Sequence, residues 1–207
     1  NDAEMHAIAI ERGFDNNFSR EVAKEALKIE KLGIRKEDEK GRKDFRKTLT
    51  FTIDPADAKD FDDAISLKYM NDDLYEVGIH IADVSHYVKI GSNIDREAQK
   101  RGTSVYLVDR TIPMLPEALS NNLCSLVPNQ DRLTMSAVFI LNKKGEVQKE
   151  WYGKTIIHSQ KRFTYEEAEI SIKKEGSELH KELNILNTIA INLKEERYKN
   201  GAIEIEQ

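Results

Sequence analysis

The spacing of apolar residues changes several times along the chain, and each change marks an element. Between residues 4 and 31 the spacing is helical. Met5, Ile8 and Ile10 come first, then Val22, Ala23, Ala26, Leu27 and Ile29 behind Ser19, an N-cap residue type with Glu21 in the first turn. Residues 30–47 mix both charges with few apolar side chains and read as a solvated linker. From Leu49 the period falls to two: Leu49, Phe51 and Ile53 alternate with Thr50, Thr52 and Asp54, as in a strand with one buried face. A second strand is expected at Ala64–Tyr69, a turn at Asn71-Asp72-Asp73, and a hairpin partner over about Leu74–Val84.

Residues 92–101 read as a short helix capped by Ser92 or Asn93 and stopped by Gly102. Thr103–Val108 is β-branched and aromatic, hence strand-like, and Pro113 and Pro116 bracket a loop. Leu133–Leu141 and Val147–Ile157 form a hairpin about Asn142-Lys143-Lys144-Gly145. Thr164 caps a helix over 165–175, with Glu167 completing a capping box. A longer helix over 178–199 carries a stripe of Leu179, Leu183, Leu186, Ile189, Ala190 and Leu193. Residues 201–207 alternate again, like a half-buried strand. Together these give an α+β fold: a mixed or antiparallel sheet with packed helices, behind a helical arm and charged linker at 1–47. The sheet-bearing part is 48–207. The missing initial methionine and the unpartnered last strand suggest a piece of a longer protein.

Composition narrows the function classes. Hydrophobic residues make up 39% of the 207, enough to build a core. The single cysteine excludes an internal disulfide framework and a zinc site built on cysteine clusters. No apolar run is long enough to span a bilayer, so a soluble protein of a reducing compartment, the cytoplasm, is expected, with no membrane partner. Nothing in the sequence calls for a small organic cofactor. The net charge of −5 argues against nucleic-acid binding by bulk charge but not against a focused site.

The acidic excess gathers in the middle of the chain, above all in Thr52-Ile53-Asp54-Pro55-Ala56-Asp57-Ala58-Lys59-Asp60-Phe61-Asp62-Asp63-Ala64. Carboxylates drawn together oppose one another's ionisation, by roughly 4 kcal/mol per pair at 4 Å and an effective dielectric near 20. Such a cluster needs water around each member or a cation between them. Asp54 ends a strand and Pro55 breaks the ladder, so the cluster sits on a loop pinned at a sheet edge. In an extended loop Asp60 and Asp62 share a face and Asp63 points away. Two groups of hard oxygen ligands suit two Mg²⁺ or Mn²⁺ ions, able to act on a phosphodiester. An exposed acidic loop and a calcium-stabilised structural loop remain open alternatives. An EF-hand does not fit, because counting from Asp60 the required glycine falls on Ile65.

The 52–64 run resembles the signature of the ribonuclease II/ribonuclease R (RNB) family of exoribonucleases, and of its bacterial ribonuclease R branch most closely. Further blocks resemble the family in order: Val77 through Val88, Arg101 through Tyr106, Ile112 through Pro116, Leu119 through Leu126, Arg162-Phe163-Thr164-Tyr165 and Gly201-Ala202-Ile203. The resemblance implies metal-dependent hydrolysis of single-stranded RNA from its 3′ end, releasing nucleoside 5′-monophosphates. It implies that Asp54, Asp60, Asp62 and Asp63 are the catalytic, metal-holding aspartates. Asp54 and Asp63 would hold the metal at the scissile phosphate, Asp60 would help place a second, and Asp62 would serve the chemical step. Tyr106 would stack on the terminal nucleotide. Asp57, outside the four, reads as a loop-capping residue. The resemblance also implies that this is the first part of the catalytic domain, so that the chain alone would bind RNA or metal without turnover if the remaining part is required.

Other chemistry-bearing residues read as structural. His80 and Asp83 face opposite ways along a strand, so with His86 they do not make a metal triad. Cys124 reads as a buried small hydrophobe and Trp151 as part of the sheet packing.

Overall fold

In the computed structural model, which describes residues 11, 17–71, 73–107 and 110–203, the elements follow the predicted order. Helix α1 (Arg20–Leu32) starts at Ser19, whose hydroxyl accepts from Val22 N, and stops at Gly33 with φ +56°. The strands are β1 (Lys43–Asp44), β2 (Leu49–Asp54), β3 (Asp63–Tyr69) and β4 (Tyr75–Ala82). After the short α2 (Val84–Tyr87), α3 (Asn93–Arg101) follows, capped by Ser92. Next come β5 (Val105–Tyr106), β6 (Thr111–Ile112) and a π-helical turn at Leu119–Leu123. The chain ends in β7 (Asp131–Leu141), β8 (Val147–His158), β9 (Lys161–Thr164), α4 (Tyr165–Lys173) and α5 (His180–Lys199). At α4 the expected capping box is present: Thr164 Oγ1 accepts from Glu167 N, and the Glu167 carboxylate accepts from Thr164 N.

Seven strands form one mixed sheet in the order β1-β8-β7-β4-β3-β2-β9. The five central strands run antiparallel to their neighbours, and β1 and β9 add parallel at the two edges. On one face α4 and α5 cover β2 and β9 through Phe51, Phe163, Ala168 and Leu183. Ile189 of α5 packs farther along the same face with Leu67, Tyr75, Val77 and Leu141. The other face is covered by α1, the α2–α3 region and the π-helical turn, through Val22, Ala26, Tyr87, Ile94, Leu119 and Leu126.

Several expectations need correction. The charged stretch 30–47 does not stay outside the fold. Its end forms β1, Phe45 is fully buried, and Arg42 makes a 2.6 Å ion pair with Asp83, both side chains buried. β2 is buried on both faces rather than one: Thr50 and Thr52 are as inaccessible as Phe51. A central strand covered on both faces cannot direct its polar side to water. Of the strand expected over Thr103–Val108, the described residues show only Val105–Tyr106, which pair with β6 in a separate ribbon. On α5 the buried stripe runs through Leu183 and Ile189 with Ile185 and Leu186 beside it, while Ala190 is exposed. The expected helix at 4–16 and the tail at 204–207 lie outside the described residues, apart from Glu11, which is helical. Residues 201–203 form no strand.

The face under α1 carries a polar seam. His80 Nδ1 lies 2.7 Å from Ser136 Oγ and its Nε2 lies 2.9 Å from Ser66 Oγ. Ser136 Oγ lies 2.6 Å from Thr155 Oγ1. Gly78 makes room for the seam, since a Cβ there would sit 2.4 Å from Ser66 Oγ and 2.6 Å from His80 Nε2. His80 and Asp83 are therefore partnered structural residues, although Asp83 stands past the end of β4 as the N-cap of α2, so the alternation expected along one strand does not apply to it. Cys124 is buried, and Trp151 packs against the core. Among the described residues no helix is long and apolar enough to cross a membrane.

Candidate active site

The acidic loop joins two neighbouring central strands. β2 ends at Asp54, the proline that follows has no N–H to continue the ladder, and β3 begins at Asp63. Between them the chain folds back, with Ala58 N donating to Pro55 O at 3.1 Å. Its far limb is stapled from below. Ser125 Oγ donates to Lys59 O at 2.8 Å and accepts from Phe61 N at 3.0 Å, and Leu126 N donates to Phe61 O at 2.8 Å. Ala82 N donates to Asp62 O at 3.0 Å. Ser125 is in turn held by Arg132, whose Nε donates to Ser125 O at 2.8 Å.

Asp54 and Asp60 line one cavity of about 710 Å³, together with Asp57, Lys59, Tyr106, Arg110, Glu117, Ser120 and Asn121. Asp62 and Asp63 are not part of that lining; they sit exposed at the start of β3. Asp57 is exposed on the cavity wall, and the turn beside it is closed by backbone rather than by its carboxylate. A second, more open hollow of about 610 Å³ lies far from the aspartates, between the β3–β4 turn and α5.

Tyr106 reaches the site from the separate ribbon. Its ring is 64% exposed, and its hydroxyl donates to Asp60 Oδ2 at 2.5 Å. That bond to a carboxylate, with partial burial, pushes the phenol up to about 12.

The electrostatics are those of crowded carboxylates. Burial raises the Asp54 pKa, and the charges of Asp63 and Asp60 raise it further, while the nearby Thr52 hydroxyl and Arg162 pull the other way. Asp62 is also raised, by desolvation and then by Asp60, Asp63 and Asp54. Asp54 is 8% exposed, and its Oδ2 is buried without a hydrogen-bond partner. An orphaned carboxylate oxygen among like charges is a donor set suited to a hard cation. Among the described residues, however, no three carboxylate, imidazole or thiol side chains are drawn together tightly enough to cage a metal.

The RNB domain family matches residues 42–207. The chain belongs to that family. Ribonuclease R of Thermotoga maritima is 48% identical over 192 residues, covering 90% of this chain and 27% of the relative. DIS3-like exonuclease 2 of Xenopus tropicalis is 38% identical over 222 residues, covering 99% of this chain and 27% of the relative. The solved structure of Mycoplasma genitalium RNase R in complex with ribose-methylated single-stranded RNA superposes with a TM-score of 0.87 at 29% identity. That match covers 97% of this chain and 32% of the other. The chain thus spans about a quarter to a third of the length of these relatives, and its RNB fold agrees with the α+β expectation.

Within this RNB-family chain, sequence reasoning passed over two residues at the site. Ser125 staples the far limb of the loop and Arg162 the near one, its Nη2 donating to Pro55 O at 2.5 Å and Ala56 O at 3.0 Å. Both lie in blocks that carry the family resemblance. Their roles depend on pairings between distant segments, which no local pattern encodes.

Proposed function

We propose that this chain carries part of the active site of a metal-dependent 3′→5′ exoribonuclease of the RNB family, acting in the cytoplasm on the 3′ end of single-stranded RNA. The products would be nucleoside 5′-monophosphates. The observation that carries the reading is the convergence, in one cavity, of Asp54, which also holds a buried oxygen without a partner, Asp60 and the exposed Tyr106. Asp54, Asp60, Asp62 and Asp63 would hold Mg²⁺ or Mn²⁺, since all four offer hard oxygen ligands and their mutual repulsion is relieved by a divalent charge. The bound cation would supply charge stabilisation at the scissile phosphate and a more acidic water.

The remaining work falls to the chain itself. Tyr106 offers a terminal base an exposed ring, a surface indifferent to sequence and worth roughly 1–3 kcal/mol per base. Lys59 and Arg110 place positive charge on the same wall, against Asp54, Asp57, Asp60 and Glu117. Asp62, raised in pKa among its neighbours, is the group assigned to the chemical step. The single buried cysteine is consistent with a reducing compartment.

A second reading is a chain that binds metal or RNA without turnover. It is favoured by Asp62 and Asp63 standing outside the cavity lining and by the lack of a tight three-ligand group among the described residues. Incubation with 5′-labelled single-stranded RNA and Mg²⁺, beside Asp62→Asn, separates the two. A ladder shortening from the 3′ end, lost in Asp62→Asn with RNA affinity nearly unchanged, supports the exonuclease reading. RNA binding with no ladder from either chain selects the second, and equal loss of binding and cleavage in the variant removes Asp62 from the chemical step.

A further inference from the structure

We infer that Arg162 is a positioning residue that sets the shape of the aspartate loop, and through it the cation affinity of Asp54 and Asp60. The inference rests on the metal-holding role proposed above. Arg162 stands on β9, directly opposite Thr52 of β2, two residues before Asp54. From there its guanidinium reaches over the end of the sheet and touches both limbs of the loop. On the near limb, Nη2 donates to Pro55 O at 2.5 Å and Ala56 O at 3.0 Å. On the far limb, the guanidinium carbon lies 5.5 Å from the centre of the Phe61 ring, the residue between Asp60 and Asp62. One planar cation therefore spans the gap between Asp54 and the pair flanking Phe61.

The choice of group matters. A guanidinium can lie on a ring and hydrogen-bond along its edge at the same time, which a compact ammonium cannot do in one position. Arg162 also keeps its Nε–H buried with no hydrogen-bond partner. Leaving a buried donor unmade is unfavourable. An arginine present only for solubility or surface charge would avoid that by turning its head to water, yet this one stays over the loop. Its charge also opposes the upward shift of Asp54. The two effects on a bound cation have opposite signs: nearby positive charge repels the metal, whereas a fixed ligand spacing favours it. The inference is that spacing dominates.

The test uses the 207-residue chain, with Arg162→Ala and Arg162→Lys beside wild type, and two readouts. The first is Mn²⁺ affinity by calorimetry. Positioning predicts a fall of roughly 10–100-fold in both variants, the range for residues that orient metal ligands. If Arg162 acts only through its charge, Arg162→Ala binds Mn²⁺ at least as tightly as wild type and Arg162→Lys matches it; either result overturns the inference. The second readout is amide hydrogen exchange without metal. Both variants should exchange faster at Ala58 and Phe61, whose N–H groups bond Pro55 O and Ser125 Oγ, while β4 and β7 keep their protection. Unchanged exchange at Ala58 and Phe61 overturns the inference whatever the metal does. Loss of protection across β4 and β7 overturns it in favour of a general folding role. Absence of Mn²⁺ binding by wild type refutes the metal reading, and the exchange result then decides the brace alone.

Discussion

His80 is fully buried with a hydroxyl against each ring nitrogen, so its titration carries a definite pH dependence of stability. The ring is enclosed between Ser66, Ser136 and the edge-on ring of Phe45, 5.2 Å away. Both ring nitrogens face hydroxyl oxygens, which can accept as well as donate, so protonation is not blocked by a missing acceptor. It is blocked by burial, which pushes the folded-state value down to about 4 from an ordinary 6.5. Above pH 6.5 both folded and unfolded chains hold a neutral ring and His80 adds no pH dependence. As the pH falls below 6.5 the unfolded chain takes up a proton that the folded chain refuses, so stability falls until about pH 4 and is flat below it. At roughly 1.4 kcal/mol per pH unit, the full loss is about 3 kcal/mol.

Other groups titrate nearby and must be subtracted. The raised values of Asp54 and Asp62 work in the opposite sense, since the folded form holds those protons more tightly and gains stability as they bind. Asp38 and Asp44 are lowered, so their stabilisation is lost as the pH drops through their folded values. The measurement is therefore a difference: urea unfolding of wild type and His80→Gln at pH 7, 6, 5 and 4. The amide keeps a donor and an acceptor between the two serines but does not titrate in this range. His80→Gln is expected to be less stable at pH 7, with the gap closing by about 3 kcal/mol by pH 4. At an m-value near 2 kcal/mol/M that is a relative midpoint shift of about 1–2 M urea. Stability curves that stay parallel from pH 7 to 4 would refute the argument, as would an imidazole resonance of His80 titrating near 6.5 in the folded chain.

Two other contacts have measurable consequences. Arg42→Ala leaves Asp83 buried without its 2.6 Å partner, with only Ser85 Oγ and the more distant Lys154 nearby, and should destabilise the chain by about 3–5 kcal/mol in thermal or urea unfolding. A loss under 1 kcal/mol would mean that water reaches Asp83 in the variant. Tyr106→Ala should weaken binding of a single-stranded RNA end by roughly 1–3 kcal/mol, whereas Tyr106→Phe, which keeps the ring and loses only the bond to Asp60, should bind nearly as wild type. Equal weakening in both variants would assign the contribution to the hydroxyl instead of the ring.

The parts of the fold legible in the sequence are those whose pattern is local. The strand at Leu49–Ile53, the cap and box at Thr164 and Glu167, and the Gly102 stop are all encoded within a few residues and are found where expected, although β2 buries both faces and not one. The acidic loop stands out in the sequence as a candidate site for the same reason: a run of like charges beside a proline, between two strands, has few structural uses. Pairing is what misled. The 30–47 segment looks like a linker because its charges are dense, but Arg42 is matched by Asp83 and Phe45 lies against His80, both distant in sequence. The staple from Ser125 and the contacts of Arg162 fold the loop back and set Asp60 beside Asp54 and Tyr106.

The way the loop is held explains how four like charges survive in one place. Its fastenings are mostly neutral: backbone bonds from Leu126 and Ala82, the Ser125 hydroxyl, and the buried Phe61 ring. The chain leads straight from Ala82, which grips Asp62 O, to Asp83, whose N–H donates to Leu133 O at 2.9 Å and whose carboxylate is locked on Arg42. The buried ion pair thus anchors the strand end that fixes Asp62. Within the loop, an ordinary surface cluster would relieve its repulsion by spreading into water or by recruiting lysines into ion pairs. Here the backbone is pinned, and Arg162 turns its Nη2 toward carbonyl oxygens. Burial raises the pKa values of Asp54 and Asp62, and the neighbouring aspartates push them further in the same direction. The fold uses mostly neutral contacts to hold these carboxylates together and leaves Asp54 Oδ2 buried without a hydrogen-bond partner, a donor set whose chemistry suits a cation.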